Sequence, residues 1–104
     1  LNGKWQDRGA EKPLNIHTGI SKIYAADSTM ISYKHHFFTV TFTDLNFMVL
    51  EDQTTTLEVK MNVNNWFKEP IVYDFAHWGS EMMGNLEAQD ALQQNGQAVF
   101  SISK

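Results

Sequence analysis

The sequence predicts an all-β fold, an antiparallel β-sandwich of Ig-like type that is incomplete and carries one short helix near its C-terminal end. Three observations lead there. Leu57, Val59, Met61 and Val63 alternate with Glu58, Lys60, Asn62 and Asn64, the period of two that belongs to a strand with one face buried and one in water. Phe38, Val40 and Phe42 alternate with Thr39, Thr41 and Thr43 in the same way, giving a strand with an aromatic inward face. Polar turns separate short extended stretches throughout, with none of the strand–helix alternation that marks a parallel sheet.

The elements follow in order. Leu1 to Pro13 is polar apart from Leu1 and Trp5 and punctuated by Gly3, Gly9 and Pro13, which gives a short strand about Trp5 and then a turn. Leu14 to Ile23 is extended, with Leu14, Ile16, Thr18 and Ile20 on one parity and His17 on the other face unless Gly19 marks a bulge that re-aims it. Ala25 to Ser28 is a turn. His36 to Phe42 is the strongest strand besides the one ending at Val63. A bend at 44–46, a short strand over Phe47 to Leu50 and a polar turn at 51–53 lead into Thr55 to Val63 as a hairpin. Asn64 and Asn65 close that strand, because asparagine bonds nearby backbone and tolerates the left-handed region. Trp66 and Phe67 are core anchors, and Ile71 to Phe75 pairs briefly after Pro70. Asn85 caps a helix over Leu86 to about Gln94 whose narrow apolar face is Ala88, Ala91 and Leu92, and Gly96 takes a left-handed C-terminal position. Ala98 to Ile102 is a final strand.

Composition excludes several classes. The chain has 104 residues, 42% of them hydrophobic, which suits a single packed domain. A net charge of -4 with scattered Lys and Arg offers no footprint for nucleic acid or an anionic membrane. The apolar runs are far shorter than the ~20 residues that cross a bilayer, so no membrane span is expected. With no cysteine there is no disulfide framework, thiolate metal site or Cys nucleophile. Neither a Gly-x-Ser-x-Gly element, nor a phosphate loop, nor a pair of framed carboxylates is present, so enzyme activity is not expected. Asp74, between aromatics, is read as a carboxylate that accepts backbone hydrogen bonds at a turn.

The remaining chemistry rests on imidazole and thioether. His17, His35, His36 and His77 are the four histidines, and none stands at a zinc-motif spacing. His35 and His36 point to opposite faces of a strand and cannot readily share an ion. His77 lies in Phe75-Ala76-His77-Trp78-Gly79, where packing or hydrogen bonding competes with ligation. His17 is the most distinctive, because Thr18-Gly19 lets the backbone present its ring. Metal candidates are therefore His17 first, then His36 and His77. The five methionines are soft thioethers that could serve Cu(I), but Met48 and Met61 are read as core filler, and for Met82-Met83, the one adjacent pair, core packing is again the better reading. Trp5, Trp66 and Trp78 with Tyr24, Tyr33 and Tyr73 are an alternative set, as a stacking platform for sugars.

Met61-Asn62-Val63-Asn64-Asn65-Trp66-Phe67, Pro70, Tyr73-Asp74-Phe75, Met82-Met83, Asn95-Gly96 and Val99-Phe100-Ser101, taken in order, resemble the C-terminal signature of the MbnP-like family of methanobactin-associated periplasmic copper proteins and their lipoprotein relatives. Leu1-Asn2-Gly3-Lys4-Trp5 and Asn15-Ile16-His17-Thr18-Gly19 resemble two upstream elements of that family. The resemblance implies a non-catalytic copper-binding or copper-handling domain, periplasmic or extracellular and lipid-anchored through a part outside this sequence. It also implies a diheme peroxidase-type partner that oxidises a tryptophan to kynurenine, and it singles out His17 as a ligand. Ile16 departs from the family's aromatic at that position. The Trp-x-Trp-x-x-Gly-Tyr element, expected just before Leu1, is not in the sequence, so no tryptophan here is assigned that modification. Residues 1–104 are accordingly expected to be one domain that forms the C-terminal half of a larger sandwich, completed by an upstream half or a second copy. The alternative is an interaction or carbohydrate-binding module of a surface lipoprotein without metal.

Overall fold

Two antiparallel hairpins, a third two-stranded sheet made from segments far apart in the sequence, and one ten-residue helix make up the computed structural model, which describes residues 2–7, 9–79 and 81–104. Leu1, Arg8 and Ser80 lie outside the described residues, Leu1 being part of the first family-like segment. β1 (Asn2–Asp7) pairs with β2 (Ala10–Asn15), with Trp5 opposite Lys12. β3 (Ile20–Tyr24) pairs with β4 (Met30–His35), with a register shift between Ile23 and Tyr24. β5 (Glu58–Met61) pairs with β6 (Phe100–Ser103), placing Val59 opposite Ile102 and Met61 opposite Phe100. A 3-10 turn over Val63–Phe67, the short helix α1 (Phe75–Trp78) and the helix α2 (Leu86–Asn95) complete the chain, with a second 3-10 turn at Gly96–Ala98.

The sandwich is thus not formed: the described residues make three two-stranded sheets with helices between them, a mixed α/β arrangement. The physical reason lies in residues 36–57, which carry neither helix nor sheet. Phe38, Val40 and Phe42 alternate as a strand should, but a strand needs a partner to bond its second backbone edge. The expected hairpin of 47–50 with 55–63 is also absent, and β5 pairs with the C-terminal β6 instead. Ile71 to Phe75 is likewise unpaired, with Phe75 opening α1.

α2 forms where capping chemistry and composition agree. The Asn85 side chain accepts a hydrogen bond from the Ala88 amide at 3.1 Å, satisfying one of the helix's free amino-terminal donors. Ala88, Ala91 and Leu92 are buried on its inner face together with Gln89 and Asn95. Gly96 is right-handed at φ -54, not left-handed as expected, and the chain runs on into the second 3-10 turn. A side chain at that position would collide with the Phe38 ring, so the glycine is there for a close approach.

The core is small and aromatic. Leu14, Ile16, Tyr73, Met82, Ala88 and Leu92 are buried together, and Trp5, Trp66, Phe67, Phe75 and Trp78 pack against them half-buried. Trp66 is the anchor the sequence suggested: its Nε1–H donates to the Leu92 carbonyl at 2.8 Å. Fully buried Asn95 donates to the carbonyls of Trp66 (2.8 Å) and Ile71 (2.7 Å) and accepts from the Ile71 amide at 2.9 Å, which pins the segment between them to α2. Met48 and Met61, by contrast, are exposed and fill no core.

Candidate functional site

β2 ends at Asn15, and the chain turns through residues 16–19 before β3. Ile16 goes into the core and His17 out into solvent, as the alternation requires. The turn is held from behind. The Gly19 carbonyl accepts a hydrogen bond from the His36 amide at 2.9 Å, and the His36 Nδ1 lies 3.2 Å from the same oxygen. A carbonyl has no proton to give, so Nδ1 is the donor.

His17 lines an open hollow of about 640 Å³ between β3 and the start of α2. Across it lie Met83, Gly84, Leu86 and Gln89. Met82 and Met83 separate sharply: Met82 is wholly buried, whereas Met83 is 71% exposed. Gly84, at φ 86, makes the turn between Met83 and the Asn85 cap, a conformation glycine adopts without strain. Gln89 shapes the floor with both ends engaged, Nε2 donating to the Met82 carbonyl at 3.0 Å and Oε1 accepting from Ser21 at 3.3 Å. The hollow therefore presents an imidazole and a thioether from separate elements over a fixed polar floor.

The other histidines are placed differently. His35 is exposed at the end of β4, and His36 is buried, so they do point to opposite sides. The His36 Nε2 comes within 3.2 Å of Asp90 Oδ1 without hydrogen-bond alignment, and Asp90 Oδ2 accepts from Lys34 at 2.7 Å. His36 thus braces the turn from inside and is turned away from solvent. His77 sits on α1, exposed, with Nε2 3.8 Å from Glu87 and its ring against Trp78. Neither His36 nor His77 lines the hollow that holds His17. Among the described residues no three His, Asp or Glu side chains gather closely enough to hold an ion.

Asp74 is the turn carboxylate the sequence suggested, accepting from the amides of Ala76 at 3.0 Å and His77 at 3.1 Å as the cap of α1. Burial raises the Tyr73 phenol above its ordinary value of 10.0. The three tryptophans do not form an open platform. Trp5 stacks on Phe75 at 5.2 Å, Trp78 lies 4.9 Å from Tyr73, and Trp66 meets Phe38 edge-on at 6.2 Å.

Sequence reasoning did not place Met83 in one hollow with His17, and nothing in spacing alone could have paired positions on β2's exit turn and α2's entry. It also missed β4, whose Met30-Ile31-Ser32-Tyr33 stretch has no clean alternation. No family model, curated protein or solved structure matches the chain. No described helix is long and apolar enough to cross a membrane.

Proposed function

We propose that this chain is a non-catalytic copper-handling domain of an extracytoplasmic protein, with His17 and Met83 as its donors. The observation that carries the reading is that these two side chains, 66 positions apart by their numbers, line one hollow. Imidazole with thioether is the donor pairing that suits Cu(I) and poorly suits hard cations. The resemblance of Asn15-Ile16-His17-Thr18-Gly19 and Met82-Met83 to elements of a periplasmic copper family supports the same choice and supplies the compartment. Two donors give a weak site, so the remaining ligands come from what covers the hollow in the assembled protein.

Anaerobic competition titration with Cu(I), followed by X-ray absorption, tests the reading. Mixed nitrogen and sulfur scattering is expected. His17→Ala should weaken binding by at least the roughly 10–100-fold that loss of a mere supporting group costs. Met83→Leu keeps volume and removes the sulfur, and it should erase the sulfur shell while leaving the fold unchanged, since Met83 is exposed. Unaltered affinity in both variants would end the copper reading.

An interaction module is the second reading, and a different observation favours it: large apolar side chains are left uncovered outside the hollow, Phe37, Met48, Val49 and Val72 each being more than 70% exposed. The sugar-binding form of that reading has less support, because the tryptophans are packed into the core.

A further inference from the structure

We propose that β5 is a self-complementary edge through which two copies of this chain associate, by antiparallel β5–β5′ pairing centred on Val59. This goes beyond the copper reading and does not depend on it.

β5 is hydrogen-bonded to β6 on one side only, and all four of its residues are exposed. Its free edge therefore carries unpaired amides and carbonyls, a template for another strand. One face of this ribbon is half covered. Phe100 and Ile102 on β6 lie against Phe42 and Leu45 around a hollow of about 320 Å³, and Phe38 packs 6.3 Å from Phe100. The same face on the β5 side is bare, with Leu57 40%, Val59 61% and Met61 46% exposed. A further strand beside β5 would extend the sheet and cover that row.

The occupant follows from the charge pattern. Leu57-Glu58-Val59-Lys60-Met61 reads apolar, acid, apolar, base, apolar, and it is self-complementary when reversed about its centre. In an antiparallel pair on a two-fold axis at Val59, Glu58 of each copy stands opposite Lys60 of the other, Leu57 opposite Met61, and Val59 opposite itself. Opposite charges and apolar pairs directly across from one another are the favourable cross-strand combinations. The Glu58 and Lys60 side chains, already 3.0 Å apart within the strand, are both exposed and on the face away from Val59. The result is a four-stranded sheet in the order β6-β5-β5′-β6′ with closed two-fold symmetry.

Sedimentation equilibrium on the metal-free chain over a range of concentrations tests this. A reversible species of twice 11.9 kDa is expected. Lys60→Glu places like charges opposite each other twice, and should raise the dissociation constant roughly tenfold or more. Glu58→Lys should do the same. Mixing the two variants should restore association between them, and the double variant Glu58→Lys/Lys60→Glu should self-associate again. That rescue separates a lost interface from a damaged fold. A wild-type chain that stays monomeric, a dimer indifferent to Lys60→Glu, or mixing without rescue overturns the proposal. The copper titration reads a different part of the molecule, so either result can fail without the other.

Discussion

Asn95 is the residue on which the C-terminal half turns. Its amide makes three hydrogen bonds with no exposure to solvent, joining α2 to the backbone at Trp66 and Ile71. Asn95→Ala removes all three bonds and leaves the half-buried Ile71 amide and the Trp66 and Ile71 carbonyls without this partner, a net loss of about 1 kcal/mol for each typical bond. The midpoint of denaturant unfolding should fall accordingly, by more than any surface change on α2 produces. Tyr73 gives a prediction in pH. Its phenol is raised above 10.0 by burial, so the folded state prefers the neutral form, and the unfolded state releases the proton first. The stability linked to Tyr73 is therefore fully present below pH 10 and is lost as pH rises through the folded value. Stability measured from neutral to strongly alkaline pH should fall there in the wild type and fall less in Tyr73→Phe. Equal losses in both would mean that the phenol carries none of it.

At the scale of elements, α2 is the best determined. Its cap, its buried stripe and its position all agree, and Asn85→Ala should cost about 1 kcal/mol through loss of the single side-chain cap. Thermal unfolding by circular dichroism reads that loss. Its other end is set by packing. Alanine at Gly96 would suit the right-handed backbone there, yet its methyl group meets the Phe38 ring. Gly96→Ala should therefore destabilise by about 1–3 kcal/mol of overpacking, outweighing the ~1 kcal/mol gained in helix propensity. A more stable Gly96→Ala would mean that Phe38 is free to move aside. The strands were less legible than the helix. A capped helix satisfies its own backbone, so its residues announce it locally. A strand is completed by residues far away, and 36–42 has the right alternation with no partner beside it.

The whole molecule is expanded for its length. Its radius of gyration is 18.3 Å, against about 13 Å for a compact domain of this size. Three two-stranded sheets cannot bury one another's faces, and the apolar row Leu57, Val59, Met61 stays in solvent. Hydrogen exchange should divide accordingly. Amides of residues 86–95 should be the slowest to exchange and those of 39–57 among the fastest, because only the former belong to the shared core. Uniform protection along the chain would contradict this division. The small core also bears on the candidate site, since the hollow of His17 and Met83 lies where a hairpin meets α2 and is open to solvent.

By itself the sequence determined what depends on neighbours along the chain: the Asn85 cap and the length of α2, the turn at 25–28, Asp74 as a backbone acceptor, Trp66 as an anchor, and the outward placement of His17. These rest on local hydrogen bonds and on parity, which residue type and spacing encode directly. Tertiary structure alone decided that the predicted sandwich is three separate two-stranded sheets, that β5 takes β6 and not 47–50, that His36 is buried behind the Gly19 turn, and that Met83 and not Met82 lines the hollow with His17. Each of those depends on which distant segment is available as a partner. Alternation says that a strand has two faces and two edges; it does not say what will cover them.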